Sequence, residues 1–293
     1  MSDYMIHNRT GNIHNSGGSN NTRINKDNAG SSNILVDSFG RKIDYLRLSV
    51  TDRCNLRCTY CIPEQGINLL RRSEMLTYEE IEKSVKMLAD AGIKKIRITG
   101  GEPLVRKDIV ALIKKIRESS ELEDLSITTN GILLGRYLYD LKSAGLNRIN
   151  ISIDSLDPEK FSAITGGGSL FDVTAGLKKA IEMGFSGLNV NTVITDILDT
   201  EDVREFISMS MKMPVNIRFI EMMQLPISGN NHGTLVECST FPGFLSKPPL
   251  LPAPSAGKTR LSVVDIMKIM QKYGKFEKTD IIAGFGPSVY YKN

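Results

Sequence analysis

The chain has 293 residues, and 41% of them are hydrophobic, which suffices for one large or two modest domains with a real core. Lys and Arg total 37 against 33 Asp and Glu, and this small excess does not favour nucleic acid, which usually needs a clustered basic face. No apolar run is long enough to span a membrane, and the N-terminus lacks the apolar segment of a signal peptide. We therefore expect a cytoplasmic protein that binds neither nucleic acid nor membrane.

Residues 1–33 are rich in Asn, Ser and Gly and show almost no apolar periodicity. They cannot bury enough surface to offset the entropy of ordering, so we predict a disordered tail. A transit peptide is a minor alternative, because the basic residues are few and form no amphipathic stripe.

Short β-branched runs alternate with helical patterns from about residue 43. The predicted strands are Ile43–Val50, Ile93–Thr99, Leu125–Thr129, Arg148–Ile153, Leu188–Ile194 and Val215–Ile220. The predicted helices are Thr77–Ala91, Lys107–Ser119, Leu133–Ala144, Phe171–Met183 and Thr200–Met211. This alternation predicts an α/β fold, a partial (βα)6 TIM-type barrel over residues 34–224. Residues 225–293 are predicted to form an irregular, Pro-rich C-terminal extension with one helix, Leu261–Tyr273.

The predicted strands alternate apolar and polar residues, so each has one polar face. The apolar face must meet the helices, and the polar face therefore lines the lumen. The inward cations outnumber the one inward acid, Asp154; they are Arg47, Lys95, Arg97 and Arg218. Because an unpaired buried charge is costly, we interpret the lumen as a site for a polar ligand. The alternative is that these residues satisfy one another in ion pairs.

Three cysteines follow the first predicted strand in a Cys-x3-Cys-x2-Cys pattern, at Cys54, Cys58 and Cys61. Structural zinc requires four protein ligands, whereas a cubane iron–sulfur cluster held by three cysteines leaves one iron for a cofactor. The alternatives are a zinc site or three ordinary buried thiols. The fourth cysteine, Cys238, lies far away, and two of the three histidines lie in the tail. So few cysteines, clustered in this way, fit a reducing compartment better than a disulfide scaffold.

Polar or glycine-rich segments end the next predicted strands. Thr99-Gly-Gly-Glu-Pro103 removes side chains where a ligand or another backbone must come close. Thr128-Thr-Asn-Gly131 and Asn150-Ile-Ser-Ile-Asp-Ser155 place hydroxyl and carboxamide groups at the same rim. In a βα barrel this rim builds the active site, although each segment alone is also consistent with a turn or with strand-end capping.

These segments together resemble the radical S-adenosylmethionine (SAM) superfamily and, within it, the GTP 3′,8-cyclase family of molybdenum cofactor biosynthesis. The resemblance covers Ile34 to Gln224 and rests on five phrases. They are Leu46-Arg-Leu-Ser-Val-Thr-Asp-Arg-Cys-Asn-Leu-Arg-Cys58, Lys94-Lys-Ile-Arg-Ile-Thr-Gly-Gly-Glu-Pro-Leu-Val-Arg106, Leu125-Ser-Ile-Thr-Thr-Asn-Gly131, Arg148-Ile-Asn-Ile-Ser-Ile-Asp-Ser-Leu156 and Ile217-Arg-Phe-Ile-Glu-Met-Met223.

The resemblance implies that Cys54, Cys58 and Cys61 hold a [4Fe-4S] cluster. It implies SAM contacts at Tyr60, Gly101, Ser152 and Met223, and GTP contacts at Arg47, Arg97, Thr128 and Arg218. The implied reaction begins when a 5′-deoxyadenosyl radical removes the ribose C3′ hydrogen of GTP, and the C3′ radical then attacks guanine C8. An external electron donor is also implied, and a homodimer is left open.

Two features depart from the family pattern. The family carries a second cluster on three C-terminal cysteines, whereas this sequence reaches Asn293 without that region and has four cysteines in all. Asn189 stands where the family commonly has a lysine for the triphosphate. Two further hypotheses therefore stay open: a radical SAM enzyme with a different substrate, and a non-catalytic remnant that binds iron–sulfur.

Overall fold

A six-stranded parallel sheet organises the chain. The computed structural model describes residues 34–62, 68–222, 260–274, 276–279 and 290–292. The strands are hydrogen-bonded in sequence order; they are β1 (Tyr45–Ser49), β2 (Lys95–Thr99), β3 (Asp124–Thr129), β4 (Arg148–Ser152), β5 (Leu188–Ile194) and β6 (Val215–Glu221). Sequential order with helical crossovers is the arrangement of a (βα) barrel, here left open between β1 and β6.

Seven helices lie in the described part of the chain. They are α1 (Tyr78–Asp90), α2 (Ile109–Ser119), α3 (Leu134–Ser143), α4 (Pro158–Thr165), α5 (Leu170–Glu182), α6 (Thr200–Lys212) and α7 (Val263–Gln271). A short antiparallel pair follows, β7 (Glu277–Thr279) and β8 (Tyr290–Lys292). The predicted partial (βα)6 barrel is confirmed, with strand ends within two residues of the prediction.

One helix was missed by the sequence reasoning. Helix α4 has eight residues, begins after the N-cap Asp157 and ends at Gly166, which adopts a left-handed conformation with φ 71°. Such a short helix, inserted between β4 and α5, adds a second helix to one βα unit. The predicted tail, residues 1–33, and the Pro-rich stretch up to residue 259 lie outside the described residues.

The core lies between the sheet and its helices. The apolar strand residues are almost fully buried and pack against the apolar faces of the helices; examples are Ile96, Ile98, Leu125, Ile127, Ile149, Ile151, Leu188 and Val190. Alternate residues therefore face the lumen, as the period-two pattern predicts. Within the part of the chain that the structure describes, no helix is long and apolar enough to cross a membrane.

An ion-pair network, buried at Asp202 and exposed at Asp199, joins α4 to α6 beyond the carboxyl ends of β4 and β5. Lys160 Nζ lies 2.8 Å from both Asp199 Oδ2 and Asp202 Oδ2. Ser155 Oγ donates to Asp202 Oδ1 at 2.6 Å, so both oxygens of this buried carboxylate are bonded. The hydrogen bond from Lys160 lowers the pKa of Asp199 to about 2.

Lys160→Met tests the contribution of this network to stability. It keeps the apolar stem but leaves Asp202, whose side chain is 1% exposed, without its cation. We expect the free energy of unfolding to fall by about 2 kcal/mol in chemical denaturation, because an uncompensated buried charge is destabilising. Lys115→Met is the control, since Lys115 pairs with Glu79 and Glu82 at the surface and should cost under ~1 kcal/mol. Equal losses would contradict the argument.

Wild type and Lys160→Met should also differ in how their stability depends on pH. A carboxyl whose pKa is lowered by folding stabilises the folded state at any pH above its ordinary pKa. That stabilisation is lost as the pH falls through the pKa of the folded state. For Asp199 the ordinary value is 3.8 and the folded value about 2. As the pH falls from 3.8 to about 2, the difference in the free energy of unfolding between wild type and Lys160→Met should therefore become smaller, as measured by chemical denaturation at each pH. A constant difference would contradict the assignment.

Candidate active site

The cysteine-containing loop, residues 50–62, lies directly against the end of β2. Gly101 N donates to Thr51 O at 2.6 Å, and Glu102 N donates to Arg53 O at 2.7 Å. A Cβ atom on Gly100 would lie 2.4 Å from Thr51 O, and one on Gly101 would lie 2.3 Å from Arg53 O. The two glycines are therefore required by backbone-to-backbone contact, one of the two explanations that the sequence offers for them.

The other side of the loop is held by the end of α4. Arg57 N donates to Thr165 O and Thr59 N donates to Ile164 O, both at 2.9 Å. Gly166 permits this close approach, since a Cβ atom at that position would lie 2.9 Å from Arg57 O. The missed helix α4 thus supplies one wall of the loop, and the Gly-Gly turn supplies the opposite one.

Two polar residues after β2 and β3 strengthen this arrangement, and the sequence reasoning did not identify the role of either. Glu102 is buried and accepts hydrogen bonds from Thr129 Oγ1 and from the backbone N–H groups of Asn130 and Leu104, at 2.6 to 2.9 Å. Burial raises the pKa of Glu102. Asn130 Nδ2 in turn donates to Asn55 Oδ1 at 2.8 Å and lies 3.8 Å from Cys54 Sγ. The carboxylate thus fixes the residue that contacts the cysteine loop.

The three cysteines are free thiols; Cys54 and Cys58 are half-buried and Cys61 is exposed. The backbone of the loop is already folded, with Cys61 N and Ile62 N both donating to Cys58 O at 3.0 Å. Burial raises the pKa of Cys58 to about 12, with the nearby Asp154 carboxylate adding to the shift, and burial also raises that of Cys61. A raised pKa favours the neutral thiol at Cys58 and Cys61, and binding of a metal by their thiolates would release protons.

The donor set is compatible with an iron–sulfur cluster. Three thiols lie on one preformed loop, with the Cys61 edge open to solvent. Structural zinc requires four protein ligands, whereas three cysteines can hold a cubane cluster and leave one of its irons without a protein ligand. Among the described residues, no group of three His, Cys, Asp or Glu side chains is arranged to hold one metal ion.

Tyr60 connects the loop to the opposite wall of the barrel. Its hydroxyl donates to Asp154 Oδ2 at 2.7 Å, and Asp154 Oδ1 accepts from Val193 N at 2.8 Å. Desolvation raises the pKa of Asp154 to about 6 and that of Tyr60 well above its ordinary value. Ser152, two residues before Asp154, ends β4 and is the register partner of Asn191 on β5.

Three of the predicted site residues on the lumen face are arginines. Arg97 is 5% exposed and Arg218 9% exposed, and the Arg97 guanidinium lies 5.5 Å from the centre of the Tyr45 ring. Arg47 is the register partner of Arg97 but is exposed, because β1 is an edge strand of the open barrel. Lys95, predicted to be inward and available to a ligand, forms an ion pair with Asp44 at 2.7 Å. The charge of Lys95 is therefore satisfied by a protein carboxylate. This is the alternative that the sequence left open for all the inward cations.

Three asparagines form a carboxamide ladder across β4, β5 and β6. Asn216 Nδ2 donates to Asn189 Oδ1, and Asn189 Nδ2 donates to Asn150 Oδ1, each at 3.2 Å. Asn150 Nδ2 donates to Ile127 O, and Arg218 Nη1 lies 3.4 Å from Asn150 Oδ1. Asn189 therefore uses both its oxygen and its amide nitrogen within the protein.

The structure brings most of the predicted site residues to one end of the barrel or to its inner face. Cys54, Cys58, Tyr60, Cys61 and Gly101 meet at the loop. Ser152 and the half-buried Thr128 lie at the ends of neighbouring strands. Met223 lies outside the described residues. The residues that sequence reasoning missed, Asn130 and Glu102, were visible only as members of strand-end motifs whose partners are distant in sequence.

Comparison with known proteins agrees with this geometry. The family model of the Radical SAM superfamily matches residues 48–209 of this chain. A GTP 3′,8-cyclase of Petrotoga mobilis is 46% identical over 207 residues, covering 69% of this chain and 64% of that protein. A GTP 3′,8-cyclase of Desulforamulus reducens is 40% identical over 258 residues, covering 88% of this chain and 72% of that protein.

A solved structure shares the fold. Methylornithine synthase (PylB) superposes with a TM-score of 0.52 at 20% identity, covering 78% of this chain and 63% of that one. The chain belongs to the radical SAM superfamily and, within it, to the GTP 3′,8-cyclase family. Membership of the superfamily implies SAM and an iron–sulfur cluster as cofactors. The chain spans less than two thirds of the length of the Petrotoga relative.

Gly101→Ala should impair cluster binding. The added methyl would lie 2.3 Å from Arg53 O, so the loop must leave its contact with β2. We expect iron and sulfide bound per chain after anaerobic reconstitution to fall at least roughly tenfold, because the thiolates lose their common placement.

Gly135→Ala is the matched control for this substitution. Gly135 lies in α3, and its added Cβ would meet only ordinary contact at 3.7 Å from the Gly176 Cα. Alanine also suits a helix better than glycine, so wild-type iron content is expected. If Gly101→Ala bound as much iron as Gly135→Ala, the Gly-Gly turn would not be what seats the loop.

Proposed function

We propose that this chain is a radical SAM enzyme that converts GTP to (8S)-3′,8-cyclo-7,8-dihydroguanosine 5′-triphosphate in molybdenum cofactor biosynthesis. The observation that carries the proposal is the presence, in one barrel, of a preformed three-cysteine loop and a lumen face that carries two buried arginines, Arg97 and Arg218. The activity for which the GTP 3′,8-cyclase relatives are named is consistent with both features.

In this proposal Cys54, Cys58 and Cys61 hold a [4Fe-4S] cluster. When bound, the cluster and SAM supply a 5′-deoxyadenosyl radical that removes a hydrogen atom from the substrate. The protein's own contribution is placement. Tyr60 and Gly101 lie on or against the cysteine loop, and Ser152 ends a neighbouring strand, so these residues would contact SAM, together with Met223.

Arg47, Arg97 and Arg218 would bind the triphosphate, and Thr128 would also contact GTP. A guanidinium donates two parallel hydrogen bonds to an oxyanion, and buried arginines keep this capacity without competition from water. Asn191 adds support, because its Oδ1 atom is buried without a hydrogen-bond partner among the described residues, and its register partners are Ser152 and Arg218. Such an acceptor fits a donor on a ligand between the proposed SAM and GTP contacts.

One observation favours a second candidate, a radical SAM enzyme with a different substrate. Asn189 stands where the family commonly has a lysine, and its carboxamide is bonded to Asn150 and Asn216. The lumen therefore offers one cation fewer to a triphosphate at that point.

The test is an anaerobic assay of the reconstituted full chain with SAM, dithionite and either GTP or no nucleotide. We expect 5′-deoxyadenosine and a cyclised isomer of GTP in equal amounts, both detected by mass spectrometry and both absent in Cys58→Ala. Deoxyadenosine that forms equally with and without GTP, and with no cyclised product, would favour the second candidate. Absence of deoxyadenosine under all conditions would contradict both.

Arg97→Ala and Arg218→Ala should each lower GTP-dependent product formation at least roughly tenfold, since a hydrogen bond to a charged group is lost in each. SAM cleavage without GTP should stay unchanged, because both arginines are proposed to contact GTP and neither is proposed to contact SAM. Arg204→Ala, which removes a surface pair with Glu201, is the control for loss of an arginine. Equal effects on all three variants would contradict triphosphate binding in the lumen.

A further inference from the structure

Asp154 is a buried carboxylate without an ion-pair partner among the described residues. It is 2% exposed and lies just beyond β4, where both its oxygens accept hydrogen bonds. One donor is the backbone N–H of Val193 on β5, and the other is the hydroxyl of Tyr60. Asp202, a buried acid beyond the neighbouring strand, differs, because it has the Lys160 cation beside it. A desolvated carboxylate is costly, so its two hydrogen bonds must be strong to hold it there.

The Tyr60 hydroxyl attaches the cysteine loop to a part of the barrel, the β4–β5 wall, that the described backbone contacts of the loop with β2 and α4 do not reach. The first half of the loop is held by Gly101 and Asn130, and the segment at Arg57 and Thr59 is held by the carbonyls at the end of α4. Tyr60 lies between Cys58 and Cys61, and its side chain crosses to a residue 94 positions later in the sequence. This hydrogen bond therefore connects the second and third cysteines to the β4–β5 wall.

We propose that Asp154 is a positioning residue that fixes the Tyr60 side chain and, through it, the Cys58–Cys61 half of the loop. For the SAM contact of Tyr60 the inference rests on the proposed function. For the order of the loop it rests only on the hydrogen bonds described above.

The experiment is a double-mutant cycle of Asp154→Asn, Tyr60→Phe and the combined variant. Asparagine has nearly the same volume but no charge. If its oxygen accepts from Val193 N, its amide group faces the tyrosine oxygen, so the charge-assisted bond is replaced at best by a weaker neutral one. Tyr60→Phe removes the hydroxyl and keeps the ring. Two quantities are measured: amide hydrogen exchange of residues 57–62 in the full chain without cluster, and SAM dissociation from the cluster-loaded chain.

We expect each single variant to speed exchange of residues 57–62 roughly tenfold and to weaken SAM binding several-fold, because each removes a charge-assisted hydrogen bond. The combined variant should be no worse than the more affected single variant, since both substitutions break the same bond. Asp202→Asn is the control, because it alters a buried carboxylate at the same rim that does not contact the loop. It should leave exchange of residues 57–62 unchanged relative to that of β3.

The outcomes separate this inference from the proposed function. Additive effects of Asp154→Asn and Tyr60→Phe, or unchanged exchange in Asp154→Asn, would overturn the positioning role. Faster exchange with non-additivity supports it even if no GTP product is ever found, because the exchange measurement needs neither SAM nor GTP.

Discussion

The seating of the cysteine loop on backbone groups is the constraint on which the rest of the site depends. Its contacts with Gly101 and Glu102 on one side, and with Ile164 and Thr165 on the other, join peptide groups rather than side chains. Peptide hydrogen bonds fix the path of a chain closely, but they require that no Cβ intervene, which is why glycines occur at both contacts. The three thiols are therefore carried on a loop whose backbone path is already set by its neighbours.

The same constraint explains where the acids and cations lie. Glu102 and Asp154 are buried carboxylates next to the loop. Among the described residues, both are stabilised by hydrogen bonds, and neither forms an ion pair with a lysine or arginine. The arginines Arg97 and Arg218 lie elsewhere on the lumen face, on β2 and β6, where both are almost fully buried.

Much of this could be predicted from the sequence. Alternation of apolar and polar residues located all six strands, because burial against helices on one face leaves a period of two. The spacing of Cys54, Cys58 and Cys61 predicts a metal site, and the close approach predicted at the Gly-Gly turn is present as backbone contact with Thr51 and Arg53. Helix α4 was missed because its eight residues are too few to establish an amphipathic period. The Tyr60–Asp154 bond and the pairing of Lys95 with Asp44 were invisible because they join residues from distant parts of the sequence.

The central claim is that the cysteine loop and the arginine-lined lumen form one active site, in which SAM and GTP lie side by side. The most direct measurement is an anaerobic turnover with GTP deuterated at the ribose C3′ position, followed by mass spectrometry of the 5′-deoxyadenosine formed. The account predicts that deuterium from GTP appears in 5′-deoxyadenosine. Deoxyadenosine that forms in the presence of this GTP and carries no deuterium would contradict the claim.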